Sequence, residues 1–410
     1  MLGFKKIDIH LAGIALAATG VPIGMYLNQF VPIVKWAPIV FVVSILMIIK
    51  WKNLFLIKFI SKNKVFNIII LFQLIMLLYG FNSDTMTLQN LSFHLYVLAL
   101  CISLMTLPKH IQMESLPLYV YIMSLPCIFA GVLVCQLHWV SGAEAWILRT
   151  HSDSFYIEPF SVASGAMINM FAALCILNKN FFIKIFSMSS LLTGFYILFE
   201  CDKRTPIVVF VIGMMYFLYC KKVISINLMS KGVRYFFILI LIFIIAYITI
   251  PYVTNRVDTV FDNIISGIAN ILGDTSTSDR TGSGIIRYER RLKVYDYINR
   301  NFTLVEYILG GGYFIMWVDN PLLESYLDMG VIGVVMYFLV IIYYPFKIIK
   351  KRINNDTIIL FGCVSLYAML SIFNSGVPYM AIKYVPVCIL AFCFFNSSDI
   401  YPKKCSKKTF

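Results

Sequence analysis

The sequence predicts an all-α polytopic membrane protein, with about 12 transmembrane helices and a long helical loop on the outer side. Three observations carry this. Of 410 residues, 60% are hydrophobic and only 13% are charged, against roughly 45–50% and 25% in soluble domains. Mean hydropathy is +0.83. Apolar runs long enough to cross a hydrocarbon layer of about 30 Å, which takes roughly 17–25 helical residues, recur along the whole chain. Collagen-like, disordered and disulfide-scaffold classes are excluded by the same composition.

Taken in order, the expected spans are 8–27, 32–49, 65–80, 91–107, 116–137, 160–177, 182–199, 205–220, 234–251, 322–346, 357–374 and 379–395. They make residues 1–410 a single integral membrane domain. Lys5 and Lys6 before the first run resemble a signal peptide, but so many similar runs follow that the first is read as a span. The ten cysteines fall mainly inside apolar stretches without a C-x-x-C pair, so they read as small buried hydrophobes.

Orientation follows from the lysines and arginines. With a cytoplasmic N-terminus, 22 of the 34 basic residues collect on the cytoplasmic side, including five from Lys50 to Lys64 and four from Lys347 to Arg352. Seven of the other 12 lie in one long loop, where the positive-inside rule carries less weight. Both termini are therefore expected in the cytoplasm, and the net charge of +14 reads as a topology signal with no nucleic-acid partner behind it.

Two outer loops are substantial, a smaller one at 138–159 and a large one at 252–321. In the larger loop Val257, Val260, Phe261, Ile264, Ile265, Ile268, Ile271 and Leu272 recur at helical spacing, which predicts an amphipathic helix on the membrane surface or on the bundle. A turn-rich stretch from Gly273 to Gly284 follows. A second helix is expected from Ile285 to about Arg300, with Glu289 four residues before Lys293.

That second helix would put Arg287, Arg290 and Arg291 on one face. Guanidinium forks pair phosphate oxygens and cannot lose their proton, which suits a diphosphate leaving group. The competing reading is a solvated face paired with Glu289, Asp296 or lipid phosphates. Glu200, Asp202, Lys203 and Arg204 form a charged junction between two spans. Arg204 is then either an interfacial anchor or a cation facing a cavity.

Gly310-Gly311-Gly312-Tyr313 is followed by Asp319-Asn320-Pro321, Glu324 and Asp328-Met329-Gly330 as the chain enters an apolar helix. Carboxylates so close to hydrocarbon are costly and are functional candidates. Asp319 and Asn320 could equally cap the helix that starts at Pro321. The glycines alone say little about phosphate, since any left-handed loop would use them. In the smaller loop Trp139, Trp146, Arg149 and His151 suit glycan binding, although an interfacial aromatic belt explains the tryptophans as well. His138 and His151 lack a third ligand at metal spacing, so no metal and no other cofactor is expected.

Arg204-Thr205 opening a span, Arg287-x-x-Arg290 in a long outer loop, then Gly-Gly-Gly-Tyr, Asp-Asn-Pro and Gly-x-x-Gly leading into the next helix together resemble the O-antigen polymerase (Wzy) family of bacterial inner membranes. The likeness in topology covers the whole chain, while its motifs occupy about residues 200–206 and 280–333. The resemblance implies a periplasm-facing glycosyltransferase that joins oligosaccharide repeat units carried on undecaprenyl diphosphate, with a chain-length regulator as partner. The similar O-antigen ligases usually carry His-Asn where this chain has Asp319-Asn320. On this reading Arg287, Arg290, Arg291 and Arg204 hold the diphosphate, while Asp319, or else Glu324, takes the acceptor proton. A ligase and a lipid-linked oligosaccharide flippase are the alternatives; a flippase would place its charges inside the spans and have little use for so long a loop.

Overall fold

The computed structural model describes residues 8–54, 63–81, 83–108, 111–137, 159–177, 180–201, 203–221, 241, 244–245, 247–271, 283–351, 353–373 and 376–400. Among these there is helix and no strand. The helices are α1 (Ile9–Phe30), α2 (Trp36–Ile48), α3 (Lys64–Phe81), α4 (Leu88–Thr106), α5 (Leu116–Gln136), α6 (Pro159–Ile176), α7 (Phe181–Glu200) and α8 (Arg204–Cys220). After them come α9 (Pro251–Ile271), α10 (Ser283–Asn301), α11 (Leu304–Leu309), α12 (Pro321–Phe338), α13 (Asp356–Leu370) and α14 (Ala381–Ile400). A π turn, Leu339–Tyr343, prolongs α12 into a last helical stretch at Tyr344–Ile349.

Among the described residues, seven helices are long and apolar enough to cross a membrane: Ile9–Phe30, Lys64–Phe81, Met113–Gln136, Pro159–Ile176, Phe181–Glu200, Pro321–Ile349 and Asp356–Phe373. Four of the expected spans are shorter apolar helices, Trp36–Ile48, Asn90–Thr106, Thr205–Cys220 and Ala381–Asn396. The expected span 234–251 lies mostly outside the described residues.

Helix α6 is buried almost throughout and packs on α5, α7 and α13, so it forms the centre of the bundle. Around it the outward faces remain apolar. Phe181, Phe182 and Phe186 of α7 are each more than 60% exposed, a pattern that suits acyl chains and would be a liability in water. The nine described cysteines are buried free thiols, as the sequence led us to expect.

The amphipathic helix and its successor both form. Tyr252, near the start of α9, donates a hydrogen bond from its hydroxyl to the Glu200 carboxylate at the end of α7, tying the loop to the bundle. Val257 is buried while Phe261 and Ile265 stay exposed. Helix α11 is an addition to the expected loop. It begins in a reciprocal capping box, in which Thr303 and Glu306 satisfy each other's backbone N–H groups.

Helix α12 breaks at Gly330, whose φ of 60° and ψ of −152° are non-helical. The bend is sharp. A Cβ on Gly333 would lie 2.4 Å from the Ser325 carbonyl oxygen, whereas eight residues of straight helix separate two positions by about 12 Å. The break frees carbonyls, and the glycine loop satisfies them: Gly311 N–H donates to Leu327 O at 2.8 Å and Gly312 N–H to Asp328 O at 3.3 Å. The expected span 322–346 lies within the apolar stretch Pro321–Ile349, which this break divides. Its continuous helical part is Val331–Ile349, about 28 Å long at 1.5 Å per residue, while Pro321–Met329 is a separate short helix folded against it.

This packing leaves no room for side chains at two of the glycines. A Cβ at Gly310 (φ +84°) would stand 2.2 Å from Asp328 O, and one at Gly330 would stand 2.4 Å from Ile308 O. At Gly312 (φ +126°) nothing lies within 4 Å. Gly330→Ala is expected to cost about 1–3 kcal/mol for the disfavoured conformation and more for the clash, whereas Gly312→Ala pays only for conformation. Thermal unfolding of the purified protein checks the order. Equal melting temperatures for the two variants would mean that the close approach at Gly330 is not formed.

Candidate functional site

The arginines sit on the inward stripe of α10. Arg287, Arg290 and Arg291 are continued along one face by Val294 and Ile298, and these two are buried against Val318 and Leu327. Ile286, Leu292 and Tyr295 point outward and are exposed. Arg287 donates from Nε to Asp319 Oδ2 at 2.7 Å, an ion pair with the two side chains 34% and 16% exposed. The Arg290 guanidinium stands 5.0 Å from the centre of the Trp317 ring. That of Arg291 lies 5.8 Å from the Tyr288 ring on its own helix. Arg287 and Arg290 thus reach the 317–319 loop.

Asp319 is held in the left-handed region at φ 61°. This conformation costs about 1–2 kcal/mol in a residue with a Cβ and is borne more readily by Asp and Asn than by other types. Three contacts maintain it. Glu324 Oε1 accepts from the Val318 and Asp319 N–H groups at 2.6 and 2.8 Å, and Gly376 N–H donates to Asp319 Oδ1 at 2.5 Å. The cap of α12 is Asn320, whose Oδ1 accepts from Leu323 N at 3.2 Å. The two readings of Asp319-Asn320 therefore divide between neighbours: Asn320 starts the helix and Asp319 faces the arginine.

Below this pair the charges are buried. Glu324, Asp328 and Lys383 are each 1% exposed. Lys383 of α14 lies within electrostatic reach of both Glu324 and Asp319, and a Cβ on Gly376 would be 3.8 Å from its Nζ. Glu324 Oε2 and Asp328 Oδ2 have no hydrogen-bond partner, whereas Asp328 Oδ1 accepts from Ile315 N at 3.3 Å.

The aromatic end of the glycine loop closes the far side. Tyr313 stacks on Tyr379 with ring centres 5.4 Å apart, and its hydroxyl lies 3.1 Å from His94 Nε2. His94 Nδ1 is in turn 2.5 Å from Gln73 Oε1. Burial raises the Tyr313 phenol above its ordinary value, so it stays a neutral hydrogen-bonding group. Ser83 and Thr85 hydroxyls both donate to the Tyr313 carbonyl.

Arg204 is the first residue of α8; its side chain lies outside the described residues, as do Trp139, Trp146, Arg149 and His151. Sequence reasoning did not single out Trp317, Gly376, Tyr379, His94 or Lys383; of these Lys383 carried a legible signal as a lone cation inside an apolar run. Compared with known proteins, the chain matches no protein-family model and no curated relative.

A paired cation and carboxylate at a half-buried surface can do two things together. The guanidinium can leave the carboxylate for a stronger anion such as a phosphate, and the carboxylate oxygen it releases can then accept a proton.

Proposed function

We propose that this protein is a glycosyltransferase of the O-antigen polymerase type, joining oligosaccharide repeat units carried on undecaprenyl diphosphate. The observation that carries the reading is the Arg287–Asp319 pair, backed by Arg290 and set above buried Glu324 and Lys383 where a broken apolar helix begins. In the proposed reaction the donor diphosphate draws Arg287 away from Asp319. The acceptor hydroxyl gives its proton to Asp319 and its oxygen forms a bond to the anomeric carbon of the donor. The bond from that carbon to the diphosphate oxygen breaks, and its electron pair leaves with the diphosphate, whose growing charge Arg287 and Arg290 neutralise. Arg204 is a further diphosphate ligand in this reading, which also puts the protein in the bacterial inner membrane, with cytoplasmic termini, a periplasmic site and a chain-length regulator as partner.

Glu324 is the positioning residue of this scheme, since one of its oxygens holds the backbone that presents Asp319. Glu324→Gln keeps an acceptor for both N–H groups, whereas Glu324→Ala leaves two buried donors unpaired at about 1–3 kcal/mol each. The alanine variant is expected to melt lower and to polymerise poorly, with the glutamine variant between it and wild type. A glutamine variant that melts like wild type yet makes no polymer would move the base to Glu324.

The test of the function is the lipopolysaccharide banding pattern of cells that lack the protein. Core capped with a single repeat unit supports a polymerase. Bare core with polymer still on its lipid carrier would mean a ligase, and repeat units held on the cytoplasmic leaflet would mean a flippase.

A further inference from the structure

Helices α3 and α14, and the stretch Val331–Ile349 that follows the break in α12, each run from the site to the opposite end of the bundle. Tyr79, near the end of α3, donates to Leu309 O beside the glycine loop, while Lys64 begins the same helix. Lys383 lies near the start of α14 and Phe394 near its end. At that far end a cleft of about 230 Å³ opens between the three elements, lined by Lys64, Lys347, Lys351, Tyr344, Phe394 and Phe395 among others. No carboxylate is among its described lining residues.

The cleft has two chemically distinct parts. Lys347, in the last turn of the helix, and Lys351, in the turn that follows it, both line the cleft, and Lys64 adds a third cation. All three are exposed, and among the described residues none is in an ion pair. Two of the ammonium groups stand beside aromatic rings, Lys347 at 5.6 Å from Tyr343 and Lys351 at 4.4 Å from Phe394. Beneath them Val65, Ile348 and the phenylalanines supply an apolar floor.

We propose that this cleft binds one anionic glycerophospholipid, its phosphate among Lys64, Lys347 and Lys351 and its acyl chain along Phe394 and Phe395. Charge complementarity selects the anion, since a basic pocket between membrane helices is a phosphate-headgroup site. The apolar floor favours a lipid over free phosphate. The inference rests on the membrane-embedded helices and is independent of the glycosyltransferase reading.

Native mass spectrometry of the full-length detergent-purified protein tests it, with dioleoyl phosphatidylglycerol, dioleoyl phosphatidylcholine and inorganic phosphate as the probes. Wild type is expected to retain one phosphatidylglycerol in preference to phosphatidylcholine. The pair Lys347→Gln and Lys351→Gln should weaken that retention about 25-fold, or roughly fivefold per lysine. Lys347→Arg with Lys351→Arg keeps the charge and should retain the lipid, which separates lost binding from lost folding. Lys50→Gln with Lys52→Gln removes equal charge outside the cleft and should change little. Equal retention of phosphatidylcholine, displacement of the lipid by millimolar phosphate, or equal loss in the Lys50 and Lys52 pair would overturn the proposal.

Discussion

Arg287→Ala is expected to abolish polymer formation while the protein still inserts in the membrane. Arg287 is the one arginine of the three in direct contact with Asp319. Losing a charge-assisted contact to a desolvated diphosphate costs about 2–5 kcal/mol, or roughly 30- to several-thousand-fold in rate. Arg287→Lys should also be poor, because an ammonium group cannot form the two-pronged contact. Arg290→Ala should be severe as well, whereas Arg291→Ala, whose guanidinium lies against Tyr288, should be the mildest. The readout is polymer length on gels, with membrane-fraction immunoblots for insertion. Full-length polymer from all three alanine variants would remove the diphosphate role.

Asp319→Asn is the second large effect, an expected loss of about 10²–10⁴-fold, the usual contribution of a general base. The substitution is unusually clean here. Asparagine tolerates the left-handed backbone that Asp319 adopts, and the helix cap belongs to Asn320, so neither conformation nor helix start is disturbed. What is removed is the ability to take a proton and most of the attraction to Arg287. Single-turnover measurement with lipid-linked donor and acceptor separates binding from chemistry. Normal turnover by Asp319→Asn would exclude it as the base.

Much of this architecture was legible in the sequence because lipid imposes a simple rule. Seven of the expected spans fall on described helices long and apolar enough to cross a membrane, one of them broken at Gly330, and four on shorter apolar helices, and both helices of the large loop appear where their spacing put them. What escaped is informative. The break at Gly330 was missed although Asp328, Gly330 and Gly333 interrupt the apolar run there, a change of composition that hydrophobic periodicity alone does not register. Helix α11 was missed although Thr303-Leu-Val-Glu306 is a capping-box signature. The direction of the arginine stripe was also available, since Val294 and Ile298 extend it by two turns. The meeting of Lys383 with Glu324 and Asp319 was not, because it joins residues that only the packing of α14 on the rest of the bundle brings together.

The central claim is that glycosyl transfer occurs at the Arg287–Asp319 pair. Its most direct test is the purified full-length protein reconstituted in liposomes with an undecaprenyl-diphosphate-linked repeat unit as both donor and acceptor. The account predicts a ladder of lengthened glycans with matching release of undecaprenyl diphosphate, both lost in Arg287→Ala and in Asp319→Asn. Repeat units that cross the bilayer unlengthened, at the same rate in wild type and in both variants, would contradict it.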